Sequence, residues 1–355
     1  MYAPQAGHRI SEYVLVECVG SGSFGQVWKA QHHIWSDQWV AIKVPTDSQY
    51  VRNLQKEGAT VHGLRHPNIV RAIGLDPYAD PPYFVMEFVD GVSLKQLIER
   101  HPKGMTPDVA RELLIGILRA LDHAHNNGVI HRDIKPANIL ISSGADRSLD
   151  TLSADDVKIT DFGLGRAETI TANSIMQSGS MLSEAGKSIS GTLAYMAPEQ
   201  RDGEEADARS DLYSVGIVLF EMLTGERPSG GDMPRQLRPD LPSWTDTVFS
   251  RLYTRRDRRF ASARDVLDAV SQSGQPPVVA AYAGAMRSDR AFGPAAAGRR
   301  CSSCGGAILP DDNFCTTCGQ QLAKHPRRCS ACGAYPDPDD RFCIFCGTPV
   351  EARVA

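Results

Sequence analysis

His131-Arg132-Asp133-Ile134-Lys135-Pro136-Ala137-Asn138 sets a cluster of charged side chains and a carboxamide between two apolar runs, Val129-Ile130 before it and Ile139-Leu140-Ile141 after it. Apolar flanks tend to bury what they bracket, so an ordinary surface turn is a poor account of this stretch. In such a setting Asp133 can accept the proton of a substrate hydroxyl, and Lys135 can neutralise charge on a phosphoryl group in transit. Asn138 can bind a metal ion. Downstream, the apolar strand pattern of 157–160 runs into Asp161-Phe162-Gly163, whose carboxylate can supply a main Mg²⁺ ligand. Further on, Ala197-Pro198-Glu199 closes the segment that Asp161 opens, and Glu199 has a candidate partner in Arg259.

Working upstream, Gly20-Ser21-Gly22-Ser23-Phe24-Gly25-Gln26-Val27 is a G-x-G-x-x-G-x-V loop between two strand patterns. Glycines let a backbone approach polyphosphate closely, and Val27 can roof an adenine ring. The same spacing opens dinucleotide-binding folds, but there the last glycine starts a helix. Here Val27-Trp28-Lys29 continues a strand, which excludes that reading. Val40-Ala41-Ile42-Lys43 ends an apolar strand on a lysine. Glu57, mid-helix, is the one carboxylate between Asp47 and Asp76. It is therefore the expected ion-pair partner of Lys43.

These motifs, in this order, resemble a eukaryotic-type protein kinase domain over residues 11–271. The resemblance implies an α+β, two-lobed protein-kinase fold, with a small β-rich lobe, a larger helical lobe and ATP with Mg²⁺ between them. It implies catalytic roles for Asp133, Lys135, Lys43, Glu57, Asn138 and Asp161, with Asn138 and Asp161 on magnesium. Nucleotide contacts would come from Gly20, Ser21, Gly22, Ser23, Phe24, Gly25 and Lys43. Met86 would be the gatekeeper, and backbone atoms of Glu87 and Val89 would bind adenine, sandwiched by Val27, Ala41 and Leu140. Lys135 two residues after Asp133, and Thr192 in Gly191-Thr192, match the serine/threonine pattern. Gln200 is similar to bacterial members, which implies a bacterial source. A pseudokinase scaffold would usually lack the lysine, the catalytic aspartate or the metal aspartate, all of which are present. Small-molecule phosphotransferases of related fold normally lack the peptide-docking segment from Gly191 to Glu199.

The coarse pattern predicts strands at 13–18, 25–31, 39–44 and 83–88 and a helix at 49–64. Helices follow at 107–126, 210–223 and 263–270. The polar stretch 142–156 is expected to be an extended hairpin tip on the surface, with no catalytic role. Residues 166–191 are dominated by Ser, Thr, Gly and Ala and cannot bury enough to order themselves. Arg132 could hold a phosphorylated residue from that segment, with Ser183, Ser188 and Ser190 the favoured autophosphorylation sites. Cys18, alone on a strand, reads as a buried apolar thiol. Residues 272–300, rich in Ala, Gly and Pro, read as a flexible linker.

The remaining eight cysteines all lie in 301–350: Cys301, Cys304, Cys315, Cys318, and then Cys329, Cys332, Cys343, Cys346, the second set repeating the first 28 positions on. Each Cys-x-x-Cys places two thiolates on one side of a metal, with a glycine permitting the turn. Two such knuckles make a closed four-thiolate site, so residues 301–319 and 329–347 read as two structural zinc ribbons. Neither ribbon has room for a core, so metal must supply folding energy of roughly 10–16 kcal/mol. The pair resembles the double zinc ribbon of many bacterial proteins. From Arg299 to Ala355, seven Lys or Arg oppose six Asp or Glu. With eight thiolates and two zinc ions the balance falls to about −3, a poor surface for nucleic acid. A bound protein partner or self-association suits the ribbons better. The whole chain carries a net charge of −4 with 42% hydrophobic residues. No signal-peptide core or membrane-spanning run is evident, so a soluble, cytoplasmic protein acting on protein substrates is expected.

Overall fold

The structure, a computed structural model, describes residues 4–22, 25–45, 51–142, 148–162, 193–272, 299–300, 302, 307–308 and 349. Within helix 51–62 it leaves aside the side chains of residues 52, 53, 56, 57 and 59. The chain divides into two compact units, residues 1–227 with 251–270, and residues 228–250 with 271–355.

The first unit opens with β1 (Arg9–Ile10), β2 (Tyr13–Gly22), β3 (Gly25–His32) and β4 (Trp39–Val44). Helix α1 (Val51–His62), β5 (Ala72–Asp76) and β6 (Tyr83–Glu87) follow. The six strands form one sheet in the order β1-β2-β3-β4-β6-β5, with β5 at an edge. Strand periodicity sorts their side chains onto two faces. Val40, Ile42 and Val44 join Trp28, Ala30, Leu15 and Val85 in one apolar cluster. The alternate residue Ala41 packs with Phe84, Met86, Val70 and Leu54 in another, which also takes in Val27, Val89 and Leu140. Lys43 has the parity of Ala41 and is therefore delivered to the second face.

The polypeptide then passes through β7 (Gly91–Ser93), α2 (Leu94–Arg100) and α3 (Pro107–Asn126) to the 3-10 turn Pro136–Asn138, β8 (Ile139–Ser142) and β9 (Val157–Ile159). Strands β7, β8 and β9 make a small antiparallel sheet in which Leu140 faces Lys158 and Ile139 faces Ile159. Beyond it lie α4 (Pro198–Arg201) and α5 (Ala208–Thr224). Helix α3 starts on Pro107 at its first turn, where the missing N–H is harmless. Helix α5 is capped by Asp207, which accepts from the N–H groups of Arg209 and Ser210, and ends on Gly225 at φ 83°. Most of α5 is buried on every side, as befits a helix at the centre of a core.

Three expectations need correction. Cys18 is exposed, not buried, because β2 carries irregularities on either side of it and turns the thiol outward, with Sγ 3.4 Å from the Gly20 carbonyl. Only part of 142–156 can be a surface tip: residues 148–156 fold back as two 3-10 turns, burying Leu152 and Ala154. Gly116 of α3 admits this, since a Cβ there would press on the Ala154 carbonyl oxygen and Val157. Strands β1 and β5 join the four expected strands of this sheet; β5 carries no strand signature of its own, because Gly74 breaks its alternation and a bulge interrupts its pairing near Ile73. No described helix is long and apolar enough to cross a membrane.

The second unit takes in α6 (Pro234–Leu237) and most of α7 (Trp244–Leu252), and the first unit resumes to end in α8 (Ala263–Gln272). Further along the second unit, β10 (Arg299–Arg300) and β11 (Ala307–Ile308) pair antiparallel, Arg299 opposite Ile308 and Arg300 opposite Ala307. In sequence the two strands bracket the first Cys-x-x-Cys, Cys301 to Cys304. All eight ribbon cysteines lie outside the described residues, as does most of the linker, residues 273–298.

Candidate active site

Asp133 sits on the loop between α3 and β8, is 6% exposed, and is tied on two sides. Lys135 Nζ lies 2.7 Å from its Oδ2. Asn138 Nδ2 donates to the same Oδ2 and to the Asp133 carbonyl, each at 2.9 Å. The Pro136–Asn138 turn makes this possible by swinging Asn138 back beneath Asp133 before β8 begins. Asp161 leaves β9 with φ 63°, and its Oδ1 accepts from Lys43 Nζ at 2.9 Å. Thus the structure brings Asp133, Lys135 and Asn138 into one hydrogen-bonded group and joins Lys43 to Asp161. Burial pushes the Asp161 carboxyl up. The Lys43 ammonium beside it, helped by Lys135 and His131, outweighs that and holds it below the ordinary aspartate range.

The loop is held by a residue far away in sequence. Asp211, near the start of α5, accepts from the backbone N–H of His131 at 2.9 Å and of Arg132 at 2.8 Å. Its Oδ2 also meets His125 Nε2 of α3 at 2.8 Å. Arg132 stands at φ 69°, a left-handed conformation costly for a side chain of this size. Two N–H bonds to one buried carboxylate stabilise it, and Gln200 Nε2 adds a bond to the Arg132 carbonyl at 3.1 Å. The His131 ring accepts from Asp133 N–H at Nδ1 (3.2 Å) and donates from Nε2 to the Thr160 carbonyl (2.9 Å). One imidazole so spaces Asp133 from the strand that delivers Asp161. The ring also lies against Phe162, with centroids 4.5 Å apart.

Glu199 and Arg259 meet as a bidentate pair at 2.6 and 2.9 Å, both buried, with Ser210 Oγ donating to the same carboxylate at 2.7 Å. Arg259 also lies over the Tyr213 ring. The pairing expected from sequence is therefore present. Burial raises Glu199, and the Arg259 and Ser210 hydrogen bonds more than offset it, so the carboxyl titrates below its ordinary value.

The apolar positions expected around a nucleotide base converge. Val27, Ala41, Met86, Val89 and Leu140 share one cluster. Met86 is buried and lines a narrow cavity with Val61, Val70, Phe84, Thr160, Asp161 and Phe162. Glu87 spends its side chain on Lys158 and on the Arg71 N–H, both 2.9 Å away, which leaves the expected base contacts to its backbone. In the glycine loop, Gly25 alone is demanded by the fold: it takes φ 153°, and a Cβ would collide with the Val44 carbonyl. Gly22 has open space where a Cβ would stand, and at Gly20 only Val27 comes near. Their freedom from side chains is unused by the protein itself and leaves room for an anionic ligand against the backbone, as phosphates require. Ser21 is exposed on β2. Ser23, Phe24 and Thr192 lie outside the described residues, and so does the side chain of Glu57, although its backbone falls within α1 as expected.

Local sequence assigns no role to Asp211, His125, His131 or Gln200 in holding the loop. Those contacts span up to 86 positions, and no short-range pattern marks them. A Ser-Asp pair at the start of an apolar helix is the only available signal.

The protein kinase domain profile matches residues 13–252, and the double zinc ribbon profile matches residues 301–347. The chain is 38% identical over 237 residues to the serine/threonine-protein kinase PknB of Mycobacterium tuberculosis, covering 64% of this chain and 34% of that protein. It is 31% identical over 291 residues to the probable serine/threonine-protein kinase CPE1738 of Clostridium perfringens, covering 76% and 39%. The chain thus spans little more than a third of the length of these curated relatives. Among solved structures, the M. tuberculosis PknI kinase domain superposes with a TM-score of 0.57 at 25% identity, covering 76% of this chain and all of that one.

Proposed function

This chain belongs to the protein kinase family and carries a double zinc ribbon, and from that premise we propose that it transfers the ATP γ-phosphate to serine or threonine hydroxyls of proteins. The observation that carries the reading is the meeting of Asp133, Lys135 and Asn138 in one group, with Lys43 on Asp161. Asp161 and Asn138 supply oxygen ligands suited to Mg²⁺. The metal's contribution when bound is to neutralise charge on the phosphate oxygens. The hydroxyl oxygen of the substrate attacks the γ-phosphorus, the bond to the β–γ bridging oxygen breaks, and ADP leaves. Asp133 takes the hydroxyl proton. Lys135, 2.7 Å from Asp133, is near enough to turn to the transferring group's charge. Lys43 would steady the phosphates, and Val27, Ala41 and Leu140 would enclose the base.

The names of the relatives and Lys135 at its position support serine/threonine specificity, and the organisms of those relatives accord with a bacterial source. A cytoplasmic setting suits the ribbons, whose thiols must stay reduced to bind zinc. Activation by phosphorylation within 166–191 accords with Arg132, whose guanidinium has no acidic partner among the described residues. That segment itself lies outside them. The ribbons would each hold a structural zinc ion and serve as a protein-contact module.

Phosphate transfer from labelled ATP with Mg²⁺, comparing wild type with Asp133→Asn and Asp161→Asn, tests the proposal. Phosphoserine or phosphothreonine formed by wild type alone supports it. Equal incorporation by all three proteins, or none by wild type while ATP still binds, would refute it.

A further inference from the structure

The end of α1 and the start of β5 border a groove lined by Val61, His62, Leu64, Arg65, Arg71, Ala72 and Ile73, which shares only Val61 with the cavity beside Asp161. Its chemistry is one-sided. Val61 and Leu64 are buried and form an apolar floor with Ala72, while Ile73 is 43% exposed beside them. The rim is basic: His62, Arg65 and Arg71 are all exposed, and no acidic residue is among the described residues that line it. None of the three basic side chains has an ion-pair or hydrogen-bond partner among the described residues. The chain as a whole is acidic, with net charge −4, so a cluster of exposed bases is a local exception. Strand β5 is also an edge of its sheet, and no described strand covers it.

We propose that this groove docks an acidic segment of a partner protein, seating an apolar side chain on Val61, Leu64 and Ile73 while its carboxylates face Arg65 and Arg71. Two arginines offer planar, forked donors suited to carboxylates. The floor gives such a segment a reason to prefer this place over any other basic surface. A free nucleic acid would satisfy the arginines and waste the apolar floor, and a neutral hydrophobic peptide would leave the bases unmatched. The backbone of Arg71 is itself engaged with Glu87, its N–H donating to the Glu87 side chain and its carbonyl accepting from the Glu87 N–H at 3.0 Å. The Arg71 side chain therefore projects from a fixed main chain, and replacing it need not disturb the strand.

Binding is measurable without catalysis, so this proposal stands or falls apart from the kinase activity. The probe is a short fluorescein-labelled peptide of alternating aspartate and leucine, titrated with the full chain by fluorescence anisotropy. Affinity is expected to fall at least tenfold in Arg65→Gln with Arg71→Gln, and severalfold in Ile73→Ser. It should fall also as salt rises. The peptide with asparagine for aspartate should bind at least tenfold more weakly. Unchanged affinity in the arginine variants, with their thermal unfolding unaltered, overturns the proposal. Equal binding of the aspartate and asparagine peptides, or tighter binding of a single-stranded oligonucleotide of matched charge, overturns it as well.

Discussion

Replacing Arg259 by leucine should destabilise the domain far more than removal of a surface charge. Arg259 and Glu199 are 1% and 6% exposed in their side chains and share two hydrogen bonds of 2.6 and 2.9 Å. In Arg259→Leu the Glu199 carboxylate keeps only the Ser210 hydroxyl among its side-chain partners, in a site that water scarcely reaches. Breaking a buried pair in this way costs about 3–5 kcal/mol, whereas an exposed pair contributes about 0–1. For a domain of this size that corresponds to a fall in Tm of roughly 6–20 °C. Urea unfolding followed by tryptophan fluorescence gives the difference directly. The pH dependence gives a second check. In wild type Glu199 titrates below its ordinary value, so its contribution is present at neutral pH and is lost as pH falls through the acid range. In Arg259→Leu the largest influence opposing burial is gone and that carboxyl rises, so the stability gap should narrow on acidification as Glu199 becomes neutral. The double variant Glu199→Leu with Arg259→Leu removes both charges and should be less destabilised than Arg259→Leu alone. A loss under about 1 kcal/mol in the single variant, the range of an exposed pair, with no pH dependence, would show that the buried pair is not what holds this part of the domain.

Other outcomes follow from the same geometry. Asp133→Asn should lower kcat by about 10²–10⁴-fold with ATP affinity kept, because proton acceptance is lost and positioning is not; steady-state kinetics with calorimetric ATP binding separates the two. Lys43→Met should raise the Asp161 carboxyl, since the cation that outweighs burial is gone. Mg²⁺ affinity in the variant, followed by titration calorimetry across the acid range, should then weaken at a higher pH than in wild type. Zinc released by mercurial titration of the thiols should approach two ions per chain and drop to one in Cys315→Ser, as four-thiolate sites require.

Much of this site is written in local sequence, and the reason is mechanical. Val40 to Val44 alternates, so the face to which Lys43 belongs is decided by counting from Ile42. Pro136 opens a single 3-10 turn, so Asn138 must come back under Asp133. Where a residue's surroundings come from other parts of the chain, local pattern is silent. Cys18 belongs to an apolar strand by composition, yet irregular pairing of β2 turns it to solvent. The polar run 148–156 carries no sign that Leu152 and Ala154 will be buried. What admits them is Gly116 on α3, which leaves room for the Ala154 carbonyl and Val157, and nothing in the sequence of α3 distinguishes it from any other helical glycine.

The loop's support is hidden from the sequence for a further reason, and it bears on how the site works. Arg132 and Asp161 are two of the three described non-glycine residues with positive φ, and they flank the chemistry on either side. A left-handed backbone is costly for any residue that carries a side chain, and it persists where the surroundings impose it. Here each conformation is held by a bond from elsewhere: Asp211 fixes the peptides of His131 and Arg132, while Lys43 reaches Asp161 from the six-stranded sheet. The motifs therefore name the groups proposed to act, and α5 and β4 supply the bonds that hold them in place. Asp211→Asn tests that division. It turns an N–H₂ toward backbone donors that need an acceptor, so a stability loss of about 1–3 kcal/mol by urea unfolding is expected. The same variant should lose more in kcat than it changes in KM, although Asp211 touches no substrate, because Asp133 is then carried on a loosened turn. An Asp211→Asn protein that keeps wild-type kcat would mean that the left-handed turn at Arg132 is held by the neighbouring chain alone.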